Sequence, residues 1–129
     1  MMALDTNVLV RYLTRDEPEE AARAKSLIED RPAFVPKTVM LETEWVLRSA
    51  YGFAPPAIAG GITAFLGLPG VTVEDAPAVA RALMWYAQGF DFADALHVAS
   101  CGQAEAFATF DRTLRRKAEA AGMMPVIAP

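Results

Sequence analysis

Short apolar runs alternate with longer stretches of helical spacing, and this alternation restricts the fold more than any other feature of the sequence. The apolar runs cover residues 2–4, 33–35, 71–73, 106–109 and 125–127. Runs of this length are typical of buried strands, and turn-forming Asp, Pro or Gly residues adjoin most of them. Strands that alternate with helices predict an α/β domain built around a parallel sheet of about five strands.

Helical spacing predicts seven helices in the remaining stretches. We expect them over residues 8–13, from 18 to about 30, from 38 to about 51, 55–66, 76–88, 91 to about 103, and 111–121. In the third helix, Thr38 is expected to cap the N-terminus. Its apolar side is expected to contain Leu41, Trp45 and Val46, while Glu42 projects from another side.

The size and composition of the chain fit one soluble domain spanning residues 1–129. The single cysteine, Cys101, excludes an internal disulfide and suits a reducing cytoplasm. The N-terminus lacks the layout of a signal peptide, and no apolar run approaches the ~20 residues of a membrane span. With 12 basic and 16 acidic residues the formal charge is −4, which argues against gripping nucleic acid by bulk positive charge.

Three acidic residues lie at the ends of predicted strands or at the starts of helices, and a fourth lies on a helix that starts just after a strand. Asp5 follows the first strand, Asp111 follows the fourth, and Asp94 lies in the first turn of the helix that leads into the fourth. Glu42 is on the helix that starts after the second strand. If the first and fourth strands are neighbours, Asp5 and Asp111 face each other across the crevice at the carboxyl ends of the strands.

Bringing these carboxylates together is costly, because two charges ~5 Å apart repel by about 3 kcal/mol at an effective dielectric constant of 20. A divalent cation would offset the repulsion. Oxygen ligands favour Mg²⁺ or Mn²⁺ over zinc, and a metal-polarised water can attack a phosphodiester. Each acid taken alone is better explained as a helix cap or a surface residue. The whole set at strand ends favours a metal site.

Several motifs resemble those of a known family. The segment ALDTNVL at residues 3–9 is similar to the opening of a PIN domain, in particular of the VapC-type toxins of prokaryotic toxin–antitoxin pairs. Glu42 resembles the second acid of the family, Asp94 in DFADALH the third, and Asp111 in ATFDR the fourth. The resemblance covers essentially the whole chain. It implies a three-layer α/β/α sandwich and a metal-dependent endoribonuclease that a cognate antitoxin inhibits.

The resemblance assigns the metal, Mg²⁺ or Mn²⁺, to carboxylates alone. The expected ligands are Asp5, Asp94 and Asp111, with Glu42 acting through a coordinated water or as the general base. Two alternatives stay open from the sequence: Asp91 in place of Asp94, and Glu44 in place of Glu42. A helix puts Asp91 and Asp94 on one face but turns Glu44 away from Glu42.

Polar neighbours of these acids are expected to support the site. Thr6 and Asn7 are candidates for contacts with the metal's water shell or the scissile phosphate, and Thr109 for a short hydrogen bond to Asp111. A basic cluster on the last helix, with two further arginines near the N-terminus, is a candidate contact for RNA or for the antitoxin: Arg112, Arg115, Arg116, Arg11 and Arg15. A solvated helix face explains the cluster equally well.

Aromatic residues within the predicted helices are expected to be anchors of the core or of a subunit interface rather than base-stacking surfaces: Trp45, Trp85, Tyr86 and Phe65. The resemblance implies a homodimer, and Ile58, Ile62 and Phe65 are candidates for part of its surface.

Three other functions remain as alternatives. A phosphatase of the haloacid-dehalogenase type needs an acid at position 7, which is Asn7 here. A receiver-like phosphoryl-binding domain needs an acceptor Asp after the third strand, where Glu74 and Asp75 lie in a context that does not match. A catalytically silent PIN domain would bind partners only.

Overall fold

The computed structural model describes all residues, 1–129, as two compact units, which we call unit 1 (Met1–Ala76) and unit 2 (Pro77–Pro129). Unit 1 contains β1 (Met2–Ala3), α1 (Thr6–Thr14), α2 (Pro18–Asp30), β2 (Ala33–Val35), α3 (Lys37–Ser49), α4 (Pro55–Leu66) and β3 (Val71–Val73). Unit 2 contains α5 (Ala76–Ala87) except its first residue, α6 (Phe92–Ala99), β4 (Phe107–Ala108), α7 (Arg112–Ala121) and β5 (Val126–Ile127). One domain over residues 1–129 stays a prediction.

The strands of unit 1 form a parallel sheet in the order β1-β2-β3. Helices α1 and α2 connect β1 to β2, and α3 and α4 connect β2 to β3, because parallel neighbours require long crossover connections. The central strand β2 has Ala33 and Val35 fully buried. Asp5 lies at the carboxyl end of β1, and α3 begins two residues beyond Val35, so both elements that carry acids start at this edge of the sheet.

The strands of unit 2 form a second parallel pair, in which α7 connects β4 to β5. The backbone N–H groups of Phe107 and Thr109 donate to the carbonyls of Pro125 and Ile127. The predicted α/β class is therefore confirmed. The predicted single sheet of about five strands is wrong, since the hydrogen bonds form a sheet of three strands and a sheet of two. Strands of two or three residues carry few ladder hydrogen bonds, and periodicity does not choose their partners.

The third helix differs from its prediction at its start. It begins at Lys37 with Pro36 as the N-cap residue, so Thr38 lies within the first turn and does not cap it. Proline is compatible with this place because its fixed φ suits the residue that precedes a helix and its missing N–H is not needed there.

The buried side of α3 also differs from its prediction. Its buried residues follow the spacing i, i+3, i+4 and i+7: Met40, Thr43, Glu44 and Leu47. Trp45 is 58% exposed, so it is not a core residue. Glu44 can enter the buried stripe because the Nε of Arg48 lies 2.8 Å from its carboxylate, one turn along the same helix.

The other predicted aromatic anchors, Phe65, Trp85 and Tyr86, are core residues. The ring of Phe65 meets that of Tyr12 edge to face, with 5.7 Å between centroids. Ile58 and Ile62 on the same face of α4 are buried as well. The prediction that these α4 residues form part of a dimer surface is therefore wrong, because their side chains are already covered within one chain.

A hydrogen-bond network surrounds the end of α1. The Asp16 carboxylate accepts hydrogen bonds from the hydroxyls of Thr14 and Tyr51, each at 2.7 Å, and lies 3.5 Å from an Arg11 nitrogen. Arg11 also bonds Glu20 at 2.8 Å. The Thr14 bond, then the Tyr51 bond, hold the pKa of Asp16 below its usual value. Arg11, at the end of α1, therefore links Asp16 in the connection to Glu20 in α2.

Replacing Asp16 by Asn should lower the urea midpoint of unfolding at pH 7. A carboxyl whose folded-state pKa is depressed stabilises the fold above its unfolded pKa, and the contribution is lost as pH falls through the folded pKa. The difference between wild type and Asp16→Asn should thus disappear below the usual value of 3.8. Asp30→Asn, at the exposed end of α2, is the control. A difference that grows in acid would contradict the assignment.

Candidate active site

In unit 1, the sheet edge places Asp5 at the start of α1. Asp5 occupies the N-cap position, but its side chain makes no capping hydrogen bond. Its backbone carbonyl accepts the first bonds of the helix, from the N–H groups of Val8 and Leu9. Because the carboxylate of Asp5 is exposed and is not used as a cap, it remains available to a ligand.

Thr6 links this position to α3. Its hydroxyl is buried at the start of α1 and donates a hydrogen bond to Oε1 of Glu42. The bond holds one oxygen of an exposed carboxylate in a fixed place and leaves the other oxygen for a ligand. The partner of Thr6 in the structure is therefore an acid of the candidate site. Asn7 is exposed in the next position of α1.

Glu42 and Glu44 have different surroundings. Glu44 is only 2% exposed and its carboxylate is ion-paired to Arg48, whereas Glu42 is exposed and bonded to Thr6. A buried carboxylate that is already neutralised by a guanidinium is a poor metal ligand. The structure favours Glu42 over Glu44.

In unit 2, two of the candidate acids serve as helix caps. Oδ2 of Asp91 accepts a hydrogen bond from the N–H of Asp94 at 3.0 Å, and Oδ1 of Asp111 accepts one from the N–H of Leu114 at 3.0 Å. The Thr109 hydroxyl accepts a bond of 3.1 Å from the N–H of Asp111. The helix-cap explanation offered by the sequence thus holds for Asp111 but not for Asp5, and Asp91 is a cap that the sequence analysis did not predict. Capping uses one oxygen of each carboxylate and fixes the orientation of the other.

Asp94 lies in the first turn of α6 and is partly buried. Burial raises its pKa, the charges of Asp91 and then Asp111 raise it further, and His97 lowers it in part. The ion pairs of the chain involve Arg11, Lys37 and Arg48, and none of them includes these aspartates. Unit 2 therefore brings the negative charges of Asp91 and Asp111 close enough to Asp94 to raise its pKa, and none of the three is ion-paired to a lysine or arginine.

No three His, Cys, Asp or Glu side chains of the chain form a ready-made group for a metal ion. The chemistry of the candidate donors nevertheless fits a hard divalent cation, because all of them are carboxylate oxygens. The raised pKa of Asp94 fits as well, since a bound cation would relieve the repulsion that causes it.

The arginines predicted to contact RNA or antitoxin have different environments. Arg11 is held by Asp16 and Glu20, and the guanidinium of Arg15 lies 5.9 Å from the ring centre of Tyr12. On α7, Arg115 donates a bond of 2.7 Å to the carbonyl of Thr109, and two arginines extend exposed one turn apart: Arg112 and Arg116. The exposed α7 arginines are the ones free to meet an anion.

One exposed aromatic residue was missed at the sequence level. Phe110 lies between Thr109 and Asp111, and the residue is 84% exposed. Its position after an apolar strand suggests a continuation of the strand, so the sequence pattern hides it. The only available signal is a large apolar side chain directly before a strand-end acid.

A family model of the PIN domain matches residues 2–120. The chain belongs to the PIN domain family. The match spans both units of this PIN domain and includes Asp5, Glu42, Asp94 and Asp111. PIN domains are nuclease folds, commonly of ribonucleases, and they generally bind divalent metal ions. The match favours a nuclease over a phosphatase or a receiver-like domain.

No curated protein and no solved structure gives a significant match to this PIN domain. None of its seven helices has both the length and the apolarity needed to cross a membrane.

Proposed function

We propose that the chain is an endoribonuclease that depends on Mg²⁺ or Mn²⁺ and hydrolyses RNA phosphodiesters. The observation that carries the proposal is the PIN match over a chain in which four acids form no ion pair with a lysine or arginine: Asp5, Glu42, Asp94 and Asp111. Acids without basic partners are costly to a fold and are typical of sites that bind a cation.

The residues that would hold the metal are Asp5, Asp94 and Asp111, with Glu42 through a water. Asp91 supports the site as the cap that fixes the first turn of α6. A bound divalent ion would supply a polarised water and neutralise charge on the phosphate under attack.

The chain's own side chains prepare the reaction. Thr6 holds Oε1 of Glu42, so Oε2 is the oxygen left to bind a metal-coordinated water or to accept its proton. The backbone N–H of Asp111 donates to the Thr109 hydroxyl, and its carboxylate accepts from the N–H of Leu114 in the first turn of α7. Both the backbone and the side chain of Asp111 are therefore fixed. Asn7, exposed beside Thr6, would donate its amide hydrogens to a phosphate oxygen. Fixed donors and acceptors of this kind lower the reorganisation needed during the reaction.

Incubation of the purified chain with end-labelled RNA tests the activity. We expect internal cleavage with Mg²⁺ or Mn²⁺, none with EDTA, and none of DNA of the same sequence. If RNA is bound but stays intact under every metal condition, the chain is a silent PIN module and the proposal fails.

We propose further that the nuclease is the toxin of a type II toxin–antitoxin pair and acts in the cytoplasm, with a cognate antitoxin as its partner. The resemblance of residues 3–9 to VapC-type toxins supports this role. Induced expression should stop growth, and co-expression of the protein encoded by the adjacent reading frame should restore it. Unimpaired growth with an active nuclease would contradict the toxin role.

A homodimer is the proposed assembly. Trp45 supports it, because a tryptophan that is 58% exposed on α3 is a suitable anchor for a second copy. Sedimentation velocity should give twice the 13.9 kDa of one chain, and Trp45→Ala should shift the species toward the monomer. A wild-type monomer at all concentrations would contradict the dimer.

A further inference from the structure

A groove lies between α7 and the C-terminal segment of unit 2. Its volume is about 710 Å³, within the range of ligand sites in proteins. One wall consists of side chains from α7, namely Arg112, Arg115, Arg116 and Glu119, and the other is residues 123–128. Three arginines against one glutamate make the α7 wall positive in a chain whose net charge is negative.

The opposite wall is mainly apolar. It contains Met123, Met124, Val126 and Ile127, and the side chain of Ile127 is about half exposed. A groove with a cationic wall and an apolar wall suits a ligand that has anionic groups along one side and apolar groups along the other.

Hydrogen bonds connect the positive wall to the candidate active site. The carbonyl of Thr109 accepts a hydrogen bond from the guanidinium of Arg115. The hydroxyl of the same Thr109 accepts one from the backbone N–H of Asp111. Arg112 directly follows Asp111 in the chain, and Arg116 is one helical turn further along. The groove therefore begins beside a proposed metal ligand.

Phe110 supplies a second, independent observation. It is the most exposed large apolar side chain of the protein and lies between the residue that anchors Arg115 and the candidate ligand Asp111. Packing does not explain an aromatic residue that is 84% exposed. A ring of this kind offers a stacking face to a nucleobase, whichever base it is.

We propose that Phe110 and the α7–β5 groove form a binding surface for single-stranded RNA. A base stacks on Phe110 next to Asp111, and the adjoining phosphates contact Arg112 and Arg116. The inference rests on the RNA substrate proposed above and adds the residues that bind it, with Phe110 as the stacking residue. Bases in a duplex are already paired and stacked, so a duplex could use the arginines but not Phe110. A peptide of acidic residues alone, such as polyglutamate, would likewise use only the arginines.

Binding is measured by the fluorescence anisotropy of a labelled short single-stranded RNA in EDTA, where no cleavage occurs. We expect Phe110→Ala to weaken binding about 10-fold, and Phe110→Tyr or Phe110→Trp to retain it. Met84→Ala, which removes another exposed apolar side chain of unit 2, is the matched control and should bind as wild type does. Equal affinity of wild type and Phe110→Ala would overturn the stacking role.

The arginines are tested by the double variant R112A/R116A against R23A/R31A, which removes the same charge from the exposed surface of unit 1. We expect only the first pair to weaken RNA binding, and to make the slope of log K against log salt less negative by about 1.4. An equal effect of both pairs would show that only the net charge of the protein matters, and would overturn the groove as the RNA-binding site.

Competition experiments distinguish single-stranded RNA from other ligands that could occupy the groove. Unlabelled single-stranded RNA should displace the probe, and duplex RNA or polyglutamate should need much higher concentrations. Displacement by polyglutamate at RNA-like concentrations would identify a peptide site and overturn the inference. Failure of the two proposals is distinguishable: cleavage unaffected by Phe110→Ala refutes this surface alone, whereas Phe110-dependent binding without cleavage in any metal refutes the nuclease alone.

Discussion

Asp94→Asn is expected to lower the rate of Mg²⁺- or Mn²⁺-dependent RNA cleavage by about 10³-fold. A metal ion contributes several kcal/mol to the stabilisation of charge in a phosphoryl transition state, and each 1.36 kcal/mol is a factor of about ten in rate. Asn keeps the shape of Asp94 in the first turn of α6 but removes the charge that binds the cation. The measurement is the single-turnover rate on labelled RNA at saturating enzyme.

Matched variants separate this effect from damage to the fold. Asp30→Asn makes the same chemical change at the exposed end of α2 and should cleave at the wild-type rate. Asp5→Asn, at the end of β1, should lose activity as Asp94→Asn does. Cleavage by Asp94→Asn within a few-fold of wild type would show that the site is assigned to the wrong residues.

Divalent metal is expected to stabilise the wild-type chain against heat and to leave Asp94→Asn unchanged. A ligand at 100 times its Kd adds about 2.7 kcal/mol to the stability of the state that binds it. For a chain of this length that corresponds to a rise in Tm of about 10 °C. Differential scanning calorimetry with Mg²⁺, Mn²⁺ and NaCl of matched ionic strength measures the shift, and an equal shift in the variant would exclude Asp94 as a ligand.

In the absence of divalent metal, Asp94→Asn should be more stable to heat than the wild type. The pKa of Asp94 is raised in the folded state, chiefly by burial and then by Asp91 and Asp111, so its charged form destabilises the fold at neutral pH. This penalty disappears as pH falls through the raised pKa toward the usual 3.8. In EDTA at pH 7, Asp94→Asn should therefore melt above wild type, and the gap should close in acid. A variant that melts below wild type at pH 7 would contradict the charge repulsion.

Local patterns were sufficient to find the helices and strands of this PIN domain. The helix at Pro18–Asp30 and the strand Ala33–Val35 match their predicted bounds, because proline positions and apolar spacing act within a few residues. The α6 helix ends at Ala99, short of the predicted 103, since Ser100 and Cys101 leave the helix in turn hydrogen bonds. Boundaries depend on such details more than the existence of an element does.

The sequence by itself determined the α/β class, the order of the elements and the placement of Asp5, Asp94 and Asp111 at strand ends and helix starts. Those features follow from short-range periodicity and capping preferences. Tertiary structure decided which side of α3 is buried, and hence the exposure of Trp45 and the burial of Glu44. It also decided which strands pair and that Phe110 faces solvent. These outcomes depend on contacts between residues distant in the chain, which no local pattern specifies.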